Sequence, residues 1–173
     1  ATDLLNVRLS SSFDLKKRNG SSVVLGTLSD WNVVNAPVTG IFQADYSDGT
    51  SSIYAFLKER YKYWNTTVWS TGVQTSISFS SGQDYQFGCV MALDYAVCTN
   101  DQDRVTKISN AETATALSFG VLATPPTKAK AVTWFRNYLI VGNTYENSAD
   151  RPTRFRWSNV GTIETWSEID YDD

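Results

Sequence analysis

A tight turn between two apolar runs limits this chain more than any other feature. Lys128-Ala-Lys-Ala-Val-Thr-Trp-Phe135 and Tyr138-Leu-Ile-Val-Gly142 are rich in aromatic and β-branched residues, and only Arg136-Asn137 separates them. Such runs around a two-residue polar link ending in Asn predict a β-hairpin, because Asn tolerates the left-handed backbone these turns need. A two-residue loop also sets the register, with Phe135 opposite Tyr138, Trp134 opposite Leu139 and Val132 opposite Val141. Both faces then carry apolar side chains, which suits strands covered from both sides. After a polar loop from Thr144 to Pro152, Arg154-Phe-Arg-Trp-Ser158 reads as a third strand.

The same pattern occurs twice upstream. Ser52-Ile-Tyr-Ala-Phe-Leu-Lys58 precedes a turn at Glu59-Arg60 and then Tyr61-Lys-Tyr-Trp64. Phe87-Gly-Cys-Val-Met-Ala92 precedes Leu93-Asp94 and Tyr95-Ala-Val-Cys-Thr99. A Tyr opens each returning strand (Tyr61, Tyr95, Tyr138) and an Asn follows it (Asn65, Asn100, Asn143). A short strand then ends in Trp69-Ser70, Ile108-Ser109 or Trp157-Ser158. Recurrence of this kind predicts an all-β chain with a propeller-like array of about three antiparallel blades, each sheet needing its neighbours to cover its faces. The blades fall at about 38–76, 77–117 and 118–169, and three do not close a propeller. An ordinary β-sandwich with recurring Asn and Gly turns is the competing architecture.

Ahead of the blades, residues 1–37 hold a strand at Leu4-Leu-Asn-Val-Arg-Leu9. A hairpin turning at Asn19-Gly20 would pair Phe13–Arg18 with Ser22–Leu25. Behind the blades, Glu164, Glu168, Asp170, Asp172 and Asp173 follow one another with no basic residue, and read as a solvated acidic tail. Only Ala111–Leu117 has the makings of a helical turn, and strands flank it.

At 173 residues with formal charge −3, the chain is long enough to bury a full-sized core, and as a whole it is no polyanion binder. It holds no apolar run of bilayer length and no charged-then-apolar leader, so the reading is a soluble protein. Histidine is absent, which removes Ser-His-Asp and Cys-His nucleophiles and His-ligated metal sites. No cofactor or metal is expected. The turn at Leu93-Asp94 places Cys89 opposite Cys98 at a non-hydrogen-bonded pair, within disulfide reach. Without a secretion signal, two reduced, buried thiols are the expectation.

Asp45, Asp48, Asp101 and Asp103 sit on loops at repeat ends, but in ordinary turn composition, so the chain is not read as an enzyme. Tyr61, Trp64, Trp69, Tyr95, Trp134, Tyr138, Trp157 and Trp166 recur within strands and read as blade-to-blade packing; Trp31 lies in the connection before the first blade. Lys16, Lys17 and Arg18, with Arg151, Arg154 and Arg156, are the candidate subunit contacts.

The order from Lys128 through Gly142, Arg151-Pro152, Arg154-Phe-Arg-Trp-Ser158 and Gly161 to Trp166, with Asn6-Val7 and Arg18-Asn19-Gly20, resembles virion proteins of tailed bacteriophages that build tail hubs or nozzles. The resemblance implies a propeller subunit of the short tail, shorter than the usual members, incorporated into the virion after assembly in the host cytoplasm. Its implied partners are copies of itself and other tail proteins around a channel through which viral DNA passes without sequence-specific contact. The alternative is a carbohydrate-binding propeller or host-receptor-binding module, for which several tryptophans would stand exposed in matching pockets.

Overall fold

The computed structural model describes residues 7–9, 15–17, 38–57, 59–64, 69–75, 77–79 and 86–172. Among these the chain is all β, with no helix and no closed sheet. β1 (Val7–Leu9) and β2 (Leu15–Lys17) form a separate antiparallel pair, Val7 opposite Lys17. Phe13–Arg18 was expected to pair with Ser22–Leu25; the described part of that strand pairs with β1, and Ser22–Leu25 lies outside the described residues.

Three larger sheets follow in chain order. Sheet 1 is the meander β3 (Gly40–Asp45), β4 (Ser51–Phe56), β5 (Tyr61–Trp64) and β6 (Trp69–Thr71). Sheet 2 holds the meander β8 (Gly88–Ala92), β9 (Tyr95–Thr99), β10 (Thr106–Ser109) and β11 (Thr113–Ala116), and β7 (Val73–Thr75) joins β11 in parallel. Sheet 3 is β12 (Lys128–Phe135), β13 (Tyr138–Glu146), β14 (Ala149–Ser158) and β15 (Trp166–Asp172).

Alternation along the strands of sheet 2 sends apolar side chains both ways, and this makes it the middle layer. Ala96, Cys98, Ile108 and Ala114 pack with Ala44, Tyr54, Phe56, Tyr61 and Phe79 of the first-sheet region. Ala92, Val97, Val105 and Leu117 pack with Ala129, Leu139, Val141 and Trp166 of the third. Two cores thus share one sheet, and a strand exposed to water on one side would not carry such a pattern. The opening strands of the meanders are neighbours: β3 contacts β8, and β8 contacts β12.

The expected register at Arg136-Asn137 is present pair for pair. Both turn residues are left-handed (φ 48° and 66°), the combination that lets a two-residue turn follow the twist of its strands. Cys89 likewise faces Cys98.

Other expectations need correction. Phe56, not Lys58, pairs with Tyr61, so the first turn sits one residue earlier than Glu59-Arg60. The polar stretch Thr144–Pro152 is no loop: β13 and β14 continue through it to a two-residue turn at Asn147-Ser148, both left-handed. Asn143 (φ 53°) lies inside β13 at the register shift between Gly142 and Thr144. The three tyrosines do not share one place. Tyr95 and Tyr138 open the second strand of their meanders, whereas Tyr61 opens the third. Ala111–Leu117 contributes the strand β11.

The acidic C-terminal stretch is also structural. Trp166 is buried over Phe119, with ring centroids 4.8 Å apart. Glu164 bonds Lys107 Nζ at 2.6 Å and accepts the Ser118 N–H, and Glu168 accepts the Ala123 N–H.

Candidate functional site

The polar groups of this chain converge at the junctions between sheets. The β3–β4 turn reaches across to two turns of sheet 2. Asp94 accepts from the Ser47 N–H at 2.9 Å and its hydroxyl at 2.6 Å, while Asn110 Nδ2 donates to Asp48 at 3.1 Å. Glu112, in the β10–β11 turn with φ 58°, accepts from Ser52 Oγ at 2.5 Å. Its carbonyl accepts the Tyr61 phenol at 2.6 Å. Tyr46 and Tyr54 share a 2.5 Å hydroxyl contact beside it.

These surroundings decide which groups can work as acids or bases. Burial pushes the Tyr46 phenol up to about 12, and Tyr54 and Tyr61 also move upward, burial again being the largest cause. All three phenols stay protonated and serve as donors near neutral pH. Asp45, Asp48 and Asp94 move the opposite way, held below the usual carboxylate range chiefly by hydrogen bonds from Ser51, Thr50 and Ser47 respectively. Asp48 and Glu112 do line one open cleft with Ser51, Ser52 and Asn110. A general acid requires a raised carboxyl, and the Asp48 carboxyl is lowered and engaged by Thr50 and Asn110. Asp103 accepts from Asn100 Nδ2 at 2.9 Å, closing the turn after β9.

Sheets 2 and 3 are joined by Thr99 Oγ1, which donates to the Ala129 carbonyl, and by the Asp101 N–H, which reaches the same carbonyl at 2.9 Å. Lys107 and Glu164 complete that junction.

Within sheet 3, Arg156 is only 2% exposed and grips Glu146 with Nε at 2.8 Å and Nη2 at 2.7 Å. Arg154 and Thr144 also donate to that carboxylate, and the Tyr171 ring lies against both guanidiniums. Burial pushes the Glu146 carboxyl up, but the hydrogen bonds of Arg156 and Thr144 and the Arg156 charge outweigh it, and the net shift is downward. Arg156 is therefore unavailable as a subunit contact, and Arg154 is committed to the same carboxylate. Arg151 is exposed on β14. Lys16 and Lys17 lie on β2; Arg18 lies outside the described residues.

The expected packing aromatics divide. Tyr61 and Trp166 are buried, while Tyr95 and Trp134 are half-buried against the second core. The Trp64 and Trp69 rings lie tilted with centroids 5.8 Å apart, and Trp157 and Phe155 likewise at 5.7 Å, all on faces opposite in register to the core residues of their sheets. Tyr138 is exposed at a hairpin end. Trp31 lies outside the described residues. Cys89 and Cys98 are joined as a disulfide with Cα atoms 4.2 Å apart, where two thiols were expected. A non-hydrogen-bonded pair brings its backbones that close.

Sequence reasoning missed Glu112 and Glu146. Neither stands in a motif; the partners of Glu112 come from sheet 1, 51 and 60 positions away, while those of Glu146 lie on its own strand and on the next strand of the hairpin, across a stretch read as a loop. Among the described residues no group of three or more acidic, cysteine or histidine side chains is placed to hold a metal ion, and no helix is long and apolar enough to cross a membrane. No family model matches the chain, and no curated protein matches it.

Proposed function

We propose that this chain is a structural, non-enzymatic protein whose meanders are arranged as consecutive propeller-like blades, and that it serves in a phage tail hub or nozzle. In that role it assembles with copies of itself and other tail proteins around the passage for viral DNA, without reading DNA sequence. The observation that carries the reading is the adjacency of the opening strands: β3 beside β8, and β8 beside β12. Blades fanned about one axis put their first strands side by side.

The chemistry of the junctions supports the same reading. Asp94, Asp48, Glu112 and Glu164 are engaged across the sheets by Ser47, Asn110, Ser52 and Lys107 respectively, and buried phenols act as fixed donors. Such contacts resist displacement between sheets without needing a ligand. The five described tryptophans are buried or half-buried, and ring neighbours account for Trp64, Trp69, Trp157 and Trp166.

Native mass measurement together with a glycan-array screen tests the proposal. A homo-oligomer that retains no glycan is the expected outcome. A monomer that binds a defined glycan overturns the reading in favour of a lectin.

A further inference from the structure

The outer face of sheet 3 carries an apolar patch that is exposed at Phe135, Tyr138 and Phe155. Val132 and Trp134 pack on the shared core, so Thr133 and Phe135 point the other way. Tyr138 pairs with Phe135, Ile140 with Trp157, and Gly142 with Phe155, which gathers Phe135, Tyr138, Ile140, Phe155 and Trp157 on one face. Phe135 is 58% exposed and Phe155 40%. Arg136 crowns this face, its guanidinium 5.5 Å from the centroid of the Phe135 ring.

At the opposite end of the stack, β3 turns Phe42 and Ala44 into the first core and Ile41, Gln43 and Asp45 outward. Ile41 is 73% exposed. Asp45 stays ionised, fixed by Ser51 Oγ at 2.6 Å and Gln43 Nε2 at 3.1 Å. At the centre of this outer face Ala55 and Lys62 are buried, whereas Ile41, Gln43 and Asp45 on the β3 edge are exposed.

We infer that the β12–β13 hairpin end of one copy docks on the β3 edge of a second copy, with Phe135 and Tyr138 against Ile41 and Arg136 against Asp45. Two arguments choose this occupant. The contact continues the order already present inside the chain, β3 to β8 to β12 and then to the next copy's β3. The two ends also carry opposite charges beside matching apolar residues. Different patches meet, so the association is head-to-tail; it closes into a ring when the rotation between copies allows and otherwise grows as a filament. This inference rests on the structural reading above and specifies its contact.

The test is sedimentation of the full chain at low and moderate salt, with Arg136→Glu, Asp45→Arg, the two combined, and Phe135→Ser. These positions are exposed, and far-ultraviolet circular dichroism checks that each variant retains its fold. The wild type should self-associate. Each single charge reversal should weaken association about tenfold or more, the combined reversal should recover most of the loss, and Phe135→Ser should weaken it at every salt concentration. A wild type that stays monomeric, or an assembly indifferent to all four variants, overturns the proposed contact. Glycan binding by a chain that still assembles through these residues would instead defeat the structural reading and leave the contact standing.

Discussion

Tyr61 and Glu112 are 51 positions apart in sequence, yet the phenol of the first donates to the carbonyl of the second at 2.6 Å. That bond ties β5 of the first sheet to the β10–β11 turn of the second. Gly72 makes room for it, because a Cβ at that position would collide with the Tyr61 ring. Replacing Tyr61 with Phe keeps the packing and removes the donor, and should cost about 1–3 kcal/mol in urea unfolding. Gly72→Ala should cost at least as much by displacing the ring.

Glu146 and Arg156 form a buried pair, and removing one partner strands the other. Glu146→Ala should destabilise by about 3–5 kcal/mol, while replacing both residues with Met should cost less than either single change. A double-mutant cycle on unfolding free energies checks this.

The same carboxyl predicts an acid limit. Its folded pKa lies below the ordinary value of 4.5, so its contribution is complete above that value and is lost as pH falls through the lower folded one. Thermal melts from neutral pH downward should show a Tm decline that begins near the ordinary value and is reduced in the double Met variant. At the alkaline end the sign reverses. Tyr46, Tyr54 and Tyr61 have raised pKa values, so their contribution is intact below 10 and falls as pH rises above it. Phenolate absorbance should show them ionising late, together with unfolding.

Cys89 and Cys98 close a loop of sequence separation 9. Reduction should lower stability by about 2.5 kcal/mol on the loop-entropy model, and a Cys89→Ala/Cys98→Ala variant should match the reduced protein in denaturant titrations.

Trp166 distinguishes a strand from a tail. Trp166→Ala should cost about 3–5 kcal/mol, a loss that calorimetry detects and that a solvated terminus would not produce.

Local chemistry made the hairpins legible. Arg136-Asn137 and Leu93-Asp94 are short links between β-rich runs, and such links leave little choice of register. What stayed hidden depends on distant partners. The run from Glu164 to Asp172 reads as a tail only until Lys107, Ser118 and Ala123 are placed beside its carboxylates. Arg156 reads as a surface cation for a different reason: its bidentate partner Glu146 is only ten residues upstream, but the stretch between them reads as a loop rather than as a continuing hairpin. The Tyr repeat misled for another reason: a Tyr after a turn marks a hairpin's return, and that return is the third strand in sheet 1 but the second in sheets 2 and 3.

Electron cryomicroscopy of the assembled protein tests the central claim, that the sheets stack in chain order with their opening strands side by side. The expected map has β3, β8 and β12 of each copy nearest a common axis, with the next copy's β3 beside β12. A map in which those strands point away from one another, or in which sheet 2 has one face in solvent, would contradict it.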